Sequence, residues 1–225
     1  MTKLVWNQTG SRWWETGVSN GVLYKKKTTG DTGNQTTKWV GVAWNGLTGV
    51  TESPSGAELT DLWADNIKYA SIRSAETFGA TVEGYTYPNE FAECDGSEEA
   101  ETGVYLGQQT RAAFCLCYKT KIGNDTQGED DDGYKLHIIY NATASPSEKV
   151  YSTVNDSPEA MTLSWEIQST PINVTGHKPV STIVIDSRTA DPSKLAALEV
   201  KLYGSDSADP ELPEPDALIA MFNAG

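Results

Sequence analysis

The chain has 225 residues, 38% of them hydrophobic and 21% charged, which suits one folded domain with a real core and excludes a disordered chain. A formal net charge of −14 opposes nucleic-acid binding by phosphate neutralisation, which needs a surplus of lysine and arginine. It does not oppose a role beside DNA, since a wall that DNA must pass should be neutral or acidic.

Residues 1–14, MTKLVWNQTGSRWW, lack an apolar stretch followed by small residues, so no signal peptide is expected and synthesis is expected in the cytoplasm. No apolar run approaches about eighteen residues, so no transmembrane helix or membrane anchor is expected. Trp13 and Trp14 are neighbours, and neighbours on a strand face opposite sides. One of the two is therefore a candidate for burial against a partner subunit. Residues 25–38, KKKTTGDTGNQTTK, contain no apolar side chain and read as a mobile segment unable to fold itself into a core.

WVGVAWNGLTGV, residues 39–50, reads as a bent strand or as a hairpin about Asn45–Gly46. LTDLWADNIKYASI follows at 59–72, with Asp65 and Asn66 between two apolar arms. Asp and Asn bond their own backbone and tolerate left-handed geometry, so ADN reads as the bend between two strands. Asp61 then has no reason to meet Asp65 as an acid/base pair. In ATVEGYTYP, Gly84 suggests a bulge or a close backbone approach.

Three clean strands come next. AAFCLCYKT puts Phe114, Leu116 and Tyr118 on one face, KLHIIYNATA puts Leu136, Ile138, Tyr140 and Ala142 on one face, and TLSWEIQST does the same with Leu163, Trp165 and Ile167. STIVIDS is a short β-branched run. Polar turns separate these runs, among them the acidic DTQGEDDDG, which reads as a solvated hairpin tip. Two helices are expected late. DPSKLAALEVKLYG offers Asp191 as N-cap, Pro192 in the first turn, Gly204 as stop and a stripe of Leu195, Leu198 and Leu202. LPEPDALIAMF reads as a last short helix entered near Pro215 and Asp216, after an acidic, proline-rich linker that should be extended and mobile. The expected fold is mainly β, an antiparallel β-sandwich with one flanking α-helix, over residues 1–204. Residues 205–225 are expected to form a separate C-terminal arm.

Catalytic signatures are missing. The two histidines, His137 and His177, belong to no hydrolase, metalloprotease or nucleotide-binding motif, and His137 falls out of phase with the Leu136 face, as a surface residue would. Cys94, Cys115 and Cys117 fit no zinc spacing and read as small buried thiols. Carboxylates are too abundant for a pair to signal glycosidase chemistry. No catalytic residue, metal or cofactor is assigned. Seven tryptophans leave open a carbohydrate-binding module or tail adhesin.

Residues 41–72 are more specific. A strand ends in Thr51-Glu52-Ser53-Pro54, then comes Trp63-Ala64-Asp65-Asn66, then another strand. This order resembles the major tail proteins, or tail tube proteins, of bacteriophages with long non-contractile tails, with Trp63 where a Tyr is more usual. FGATVEGYTYPNEFAECDG (78–96), IGNDTQG (122–128), residues 134–171 and the closing LPEPDALIAMF resemble the same family. The resemblance implies a tail-tube β-sandwich, six copies joined into a ring through one continuous sheet, and rings stacked into a conduit for double-stranded DNA within the virion tail. It implies as partners further copies of the chain, a tape measure in the lumen, and tail-tip and terminator proteins. Trp13, Trp14, Lys25, Lys26, Lys27, Leu218 and Phe222 are then candidate inter-subunit contacts, on segments expected to reach neighbouring copies or rings.

Overall fold

The computed structural model describes residues 3–29, 35–126, 133–153, 156 and 159–223. In chain order the elements are β1 (Trp13–Thr29), β2 (Thr36–Trp44), β3 (Leu47–Glu52), β4 (Ser55–Gly56), β5 (Leu59–Ala64), β6 (Ile67–Arg73), β7 (Glu76–Thr77), β8 (Gly79–Gly84), a 3-10 turn at Asn89–Phe91, β9 (Glu98–Glu101), β10 (Val104–Leu106), β11 (Phe114–Asn124), β12 (Tyr134–Ala144), β13 (Leu163–Ser169), β14 (Thr182–Asp186), α1 (Pro192–Tyr203), β15 (Glu211–Leu212) and α2 (Pro215–Asn223). All ladders are antiparallel.

One strand organises the molecule. The first half of β12 pairs with β11 on one side and β14 on the other, while its last residues, Ala142 to Ala144, pair with β13. The sheet therefore folds over at β12 into two layers. The first runs β15-β2-β1-β11-β12 and ends at β14; the second runs β13-β8-β3. The fold-over has a local cause. Between Leu116 and Phe114 of β11 the partner strand spends one residue too many, and Asn141 takes φ 47°. That β-bulge turns the alternation over. Ala142 leaves the face of Leu136, Ile138 and Tyr140 and joins the opposite core, so the single face expected from KLHIIYNATA breaks at residue 141.

The first layer is buried on both faces. Between the layers, Leu23, Phe114, Leu116, Ile139 and Ala142 pack against Val82, Trp165 and Ile167. Here the rings of Trp44, Phe91 and Trp165 meet edge-on or tilted, with centroids 4.7 to 5.6 Å apart. On the other face, Tyr24, Cys115, Cys117, Leu136 and Ile138 meet Leu195, Leu198 and Leu202 of α1. Burying each of those leucines contributes on the order of 1.5–3 kcal/mol. The helix starts and stops where its sequence says. Asp191 accepts bonds from the Ser193 and Lys194 backbone N–H at 2.9 and 3.0 Å, and Gly204 ends it at φ 78°.

Three expectations are corrected. Asn45–Gly46 joins β2 to β3, but those strands are not ladder neighbours. The turn is a corner between layers, tied to the exit of β8 by Tyr85 N–H to Gly46 O and Trp44 Nε1–H to Thr86 O. Gly84 sits in that crossing, where a Cβ would stand 3.1 Å from two carbonyl oxygens. Residues 25–29 and 36–38 are not loose: they are ladder-paired from Lys25↔Val40 to Thr29↔Thr36, because a two-stranded hairpin needs backbone bonds rather than apolar side chains. Residues 30–34 of that segment, and 127–132 of the acidic tip at 123–133, lie outside the described residues. The C-terminal stretch is no free arm either. Glu211 and Leu212 pair with Val40 and Trp39, and α2 packs on the helix-side core. Among the described residues, no helix is long and apolar enough to cross a membrane, which says nothing of barrels that cross with strands.

Candidate assembly interface

Among the described residues, two strand edges in the lower half of the first layer are left open. β2 covers β1 only from Gly21 onward, because it turns away at Trp44 toward the second layer. Residues 13–20 of β1 pair with β11 alone. At the far side, β14 pairs with β12 alone. The lower half of this layer is thus a four-stranded strip, β1-β11-β12-β14, with one unpaired edge on each side. Two bulges, after Thr16 and after Ser19, bend β1 where its pairing changes. Gly17 at φ 66° serves the first of them.

The strip has one face under α1 and one facing away. Tyr134 and Lys119 lie under the helix: Tyr134 donates to Glu199 at 2.7 Å, and the Lys119 ammonium sits 2.6 Å from the same carboxylate and over the Tyr134 ring. The opposite face carries Glu15, Thr120, Lys135 and His137 in one network. Glu15 accepts from Lys135 and Thr120 at 2.5 Å each. Burial pushes its carboxyl up, but those two bonds outweigh it and hold Glu15 below the ordinary glutamate value. His137 is half-buried rather than on the surface. Its ring stacks on Tyr118 at 4.8 Å, Nε2 lies 3.0 Å from the Thr120 hydroxyl, and Nδ1 stands 3.9 Å from Glu52. On this face charges are matched in pairs, Glu15 with Lys135 and Asp186 with Arg188.

A second feature projects from the second layer. β5 and β6 form a two-stranded sheet of their own, joined to the body through the short β4–β7 pair. Asp65 and Asn66 make its tip with φ 51° and 63°, both left-handed, as a two-residue hairpin turn of the primed type requires. The expected bend is therefore observed. Asp61 faces Lys68 at 2.8 Å and accepts from Ser71, and these two bonds hold its carboxyl below the usual aspartate range. The other face of the hairpin carries Thr60, Leu62, Ala64, Ile67, Ala70 and Ile72, with Ile67 63% and Ile72 57% exposed. Trp63, on the Asp61 face, is 68% exposed. An isolated two-stranded hairpin is marginal in water, so an apolar face left uncovered on one makes it a candidate contact surface.

The other expected contact residues separate. Trp13 and Trp14 stand on the open edge of β1, on opposite faces and each about half exposed. Trp13 lies under the Arg188 guanidinium at 5.0 Å, and Trp14 covers Gly123, where a Cβ would collide with its indole. Lys25 is held by Glu93 at 2.6 Å and Lys26 lies over the Trp39 ring, so both are anchored within the chain, while Lys27 is exposed beside Lys38. Leu218 is only 2% exposed and belongs to the chain's own core, so it offers no surface to a neighbour. Phe222 packs half-buried against the same core, with Lys194 donating to its carbonyl.

The edge of β14, including exposed Val184, and the apolar hairpin face were not legible as contacts. Part of the hairpin signal was present: a two-residue turn at 65–66 places Ala64 opposite Ile67, but Ala70 and Ile72 join that face only because an extra residue at Tyr69 shifts the register, which the sequence alone did not show. No group of three or more His, Cys, Asp or Glu among the described residues is placed to hold a metal. No protein-family model matches the chain, and no curated protein matches it in sequence.

Proposed function

We propose that the chain is a structural subunit of a bacteriophage tail tube, joined head to tail into hexameric rings that stack into a conduit for double-stranded DNA. The observation that carries this reading is the pair of open edges on one four-stranded strip. Along the strip the strands alternate in direction, so β14 of one copy runs antiparallel to β1 of the next. Every added copy continues the same ladder. A contact between two different surfaces of one chain closes into a ring when its rotation closes, and closure removes the edges that would otherwise aggregate.

Three further features support the reading. The β5–β6 hairpin carries an apolar face beyond the body, suited to a neighbouring copy in the ring or the ring above. The chain's net charge of −14 disfavours adhesion to passing DNA. The polar network of Glu15, Lys135 and His137 ties β1, β11 and β12 of the strip together, as a wall built from paired strands needs. Exposed Trp6 and Trp63 favour a glycan-binding module instead, because an open indole can stack on a sugar ring. Negative-stain microscopy of the purified protein at increasing concentration separates the two. Uniform rings or hollow tubes are expected. Particles that stay globular at every concentration, with tryptophan fluorescence that responds to glycans, would overturn the reading.

A further inference from the structure

The open edge of β1 ends in a cleft. Where β2 takes over the pairing, Asn20, Gly21, Gly41, Trp44, Tyr203 and Pro210 line a hollow of about 550 Å³. Gly21 and Gly41 form part of its floor, where Leu47 and Tyr24 already stand 3.0 and 2.7 Å from the positions their Cβ atoms would take, so no larger residue fits at either. A strand added to residues 13–18 of β1 runs straight toward this hollow.

The faces restrict how that strand sits. Glu15 bonds Thr120 and Lys135, and His137 of the same network stands directly opposite Val184 on β14. Glu15 and Val184 therefore occupy corresponding faces of the strip. Trp14 lies on the face of Ile185, whose ladder partner Leu136 is in the helix-side core. A neighbour that keeps the two faces aligned can shift only by two residues at a time. One such register sets Glu15 against Asp186, two carboxylates directly opposite, which is destabilising. The shift the other way sets Pro179, which has no N–H to donate, against Ser19 inside the ladder. The register between them sets Trp13 against Asp186, Trp14 against Ile185 and Glu15 against Val184. The bulge at Gly17 then brings Val18 level with Thr182, both on the inner face. In this register Pro179 arrives beyond Asn20, where β1 already has β2 as partner and no further donor is needed.

We infer that β14 of a second copy pairs with β1 in the register Glu15 opposite Val184, and that the second copy's Pro179 and Val180 seat in the cleft beside Asn20 and Gly21. The inference rests on the ring assembly proposed above and names the contact that builds it. Pro179 is exposed and Val180 half-buried in the free chain, and both are compact apolar groups suited to a glycine-floored hollow.

Paired cysteines test it, since the native Cys94, Cys115 and Cys117 are all buried. Directly opposed positions on neighbouring strands hold Cβ atoms about 4.5–5.5 Å apart, close enough for a small shift to close a disulfide. Under mild oxidation the full-length Glu15→Cys/Val184→Cys variant is expected to give a ladder of covalent multimers. Trp13→Cys/Val184→Cys, one step out of register, is expected not to. Ala43→Trp, at an exposed position on the cleft rim, is expected to leave the circular dichroism of the monomer unchanged and to lower the yield of linked multimers by about tenfold. Rings visible by microscopy without linkage of the Glu15/Val184 pair, or equal linkage of both pairs, would overturn the register while leaving the ring assembly standing. Normal multimer yield with Ala43→Trp would overturn the cleft as the seat. Absence of rings from the wild type would overturn both.

Discussion

Asp65 and Asn66 show how much a single residue type can decide. Two left-handed positions in succession are costly for most side chains and tolerable for Asp and Asn, so the chain can reverse there. The reversal commits Asp61 to Lys68 and Ser71 and leaves no acid/base pair. The cysteines are decided by burial instead. Loss of solvent pushes the Cys94 and Cys117 thiols up to about 12, and Cys115 is raised for the same reason. A thiol reagent at pH 8 is expected to label none of the three in the native protein and all three in denaturant. Rapid labelling of any one of them under native conditions would contradict the packing described for β11 and the Asn89–Phe91 turn.

Among the described elements, the β5–β6 hairpin carries an apolar face that the described chain does not cover. Leu62→Thr/Ile67→Thr/Ile72→Thr keeps the strand preference of the hairpin and removes that face. Because these are exposed positions, monomer stability is expected to change by no more than about 0.5 kcal/mol for each substitution. Assembly into tubes is expected to be lost, as microscopy would show. Tubes of normal length from the triple variant would remove the hairpin from the interface. Elements whose instructions are local were legible in sequence: the Asp191 cap and leucine stripe of α1, the alternation of β13, the turn at 65–66. What was not legible depended on distant partners. The bulge at Asn141 turns Ala142 over because β12 must serve two layers. The corner at Asn45–Gly46 looks like a hairpin until β8 is in place to receive β3. Leu218 resembled a free contact because its stretch is acidic and proline-rich, yet β15 pins that stretch to β2 through only two residue pairs. The open edges were invisible for a related reason, since an edge is defined by the strand that fails to arrive.

At the scale of the whole molecule, the proposed assembly draws both halves of its repeating contact from one strip, whose faces are closed by the helices and the second layer. A monomer built this way leaves hydrogen-bonding groups of β1 and β14 without a ladder partner among the described residues, and the proposal assigns them to another copy. Its strong negative charge opposes the approach of free copies, so the proposed assembly is expected to need high concentration or a template. The central claim is that these two edges meet. Amide hydrogen exchange, compared between dilute monomer and assembled material, reads it segment by segment. The account predicts that residues 13–18 and 182–186 gain protection together on assembly, while β11 and the first half of β12, already paired on both sides, do not change. Assembly that leaves both segments exchanging as fast as in the monomer, or a chain that never assembles, would contradict it.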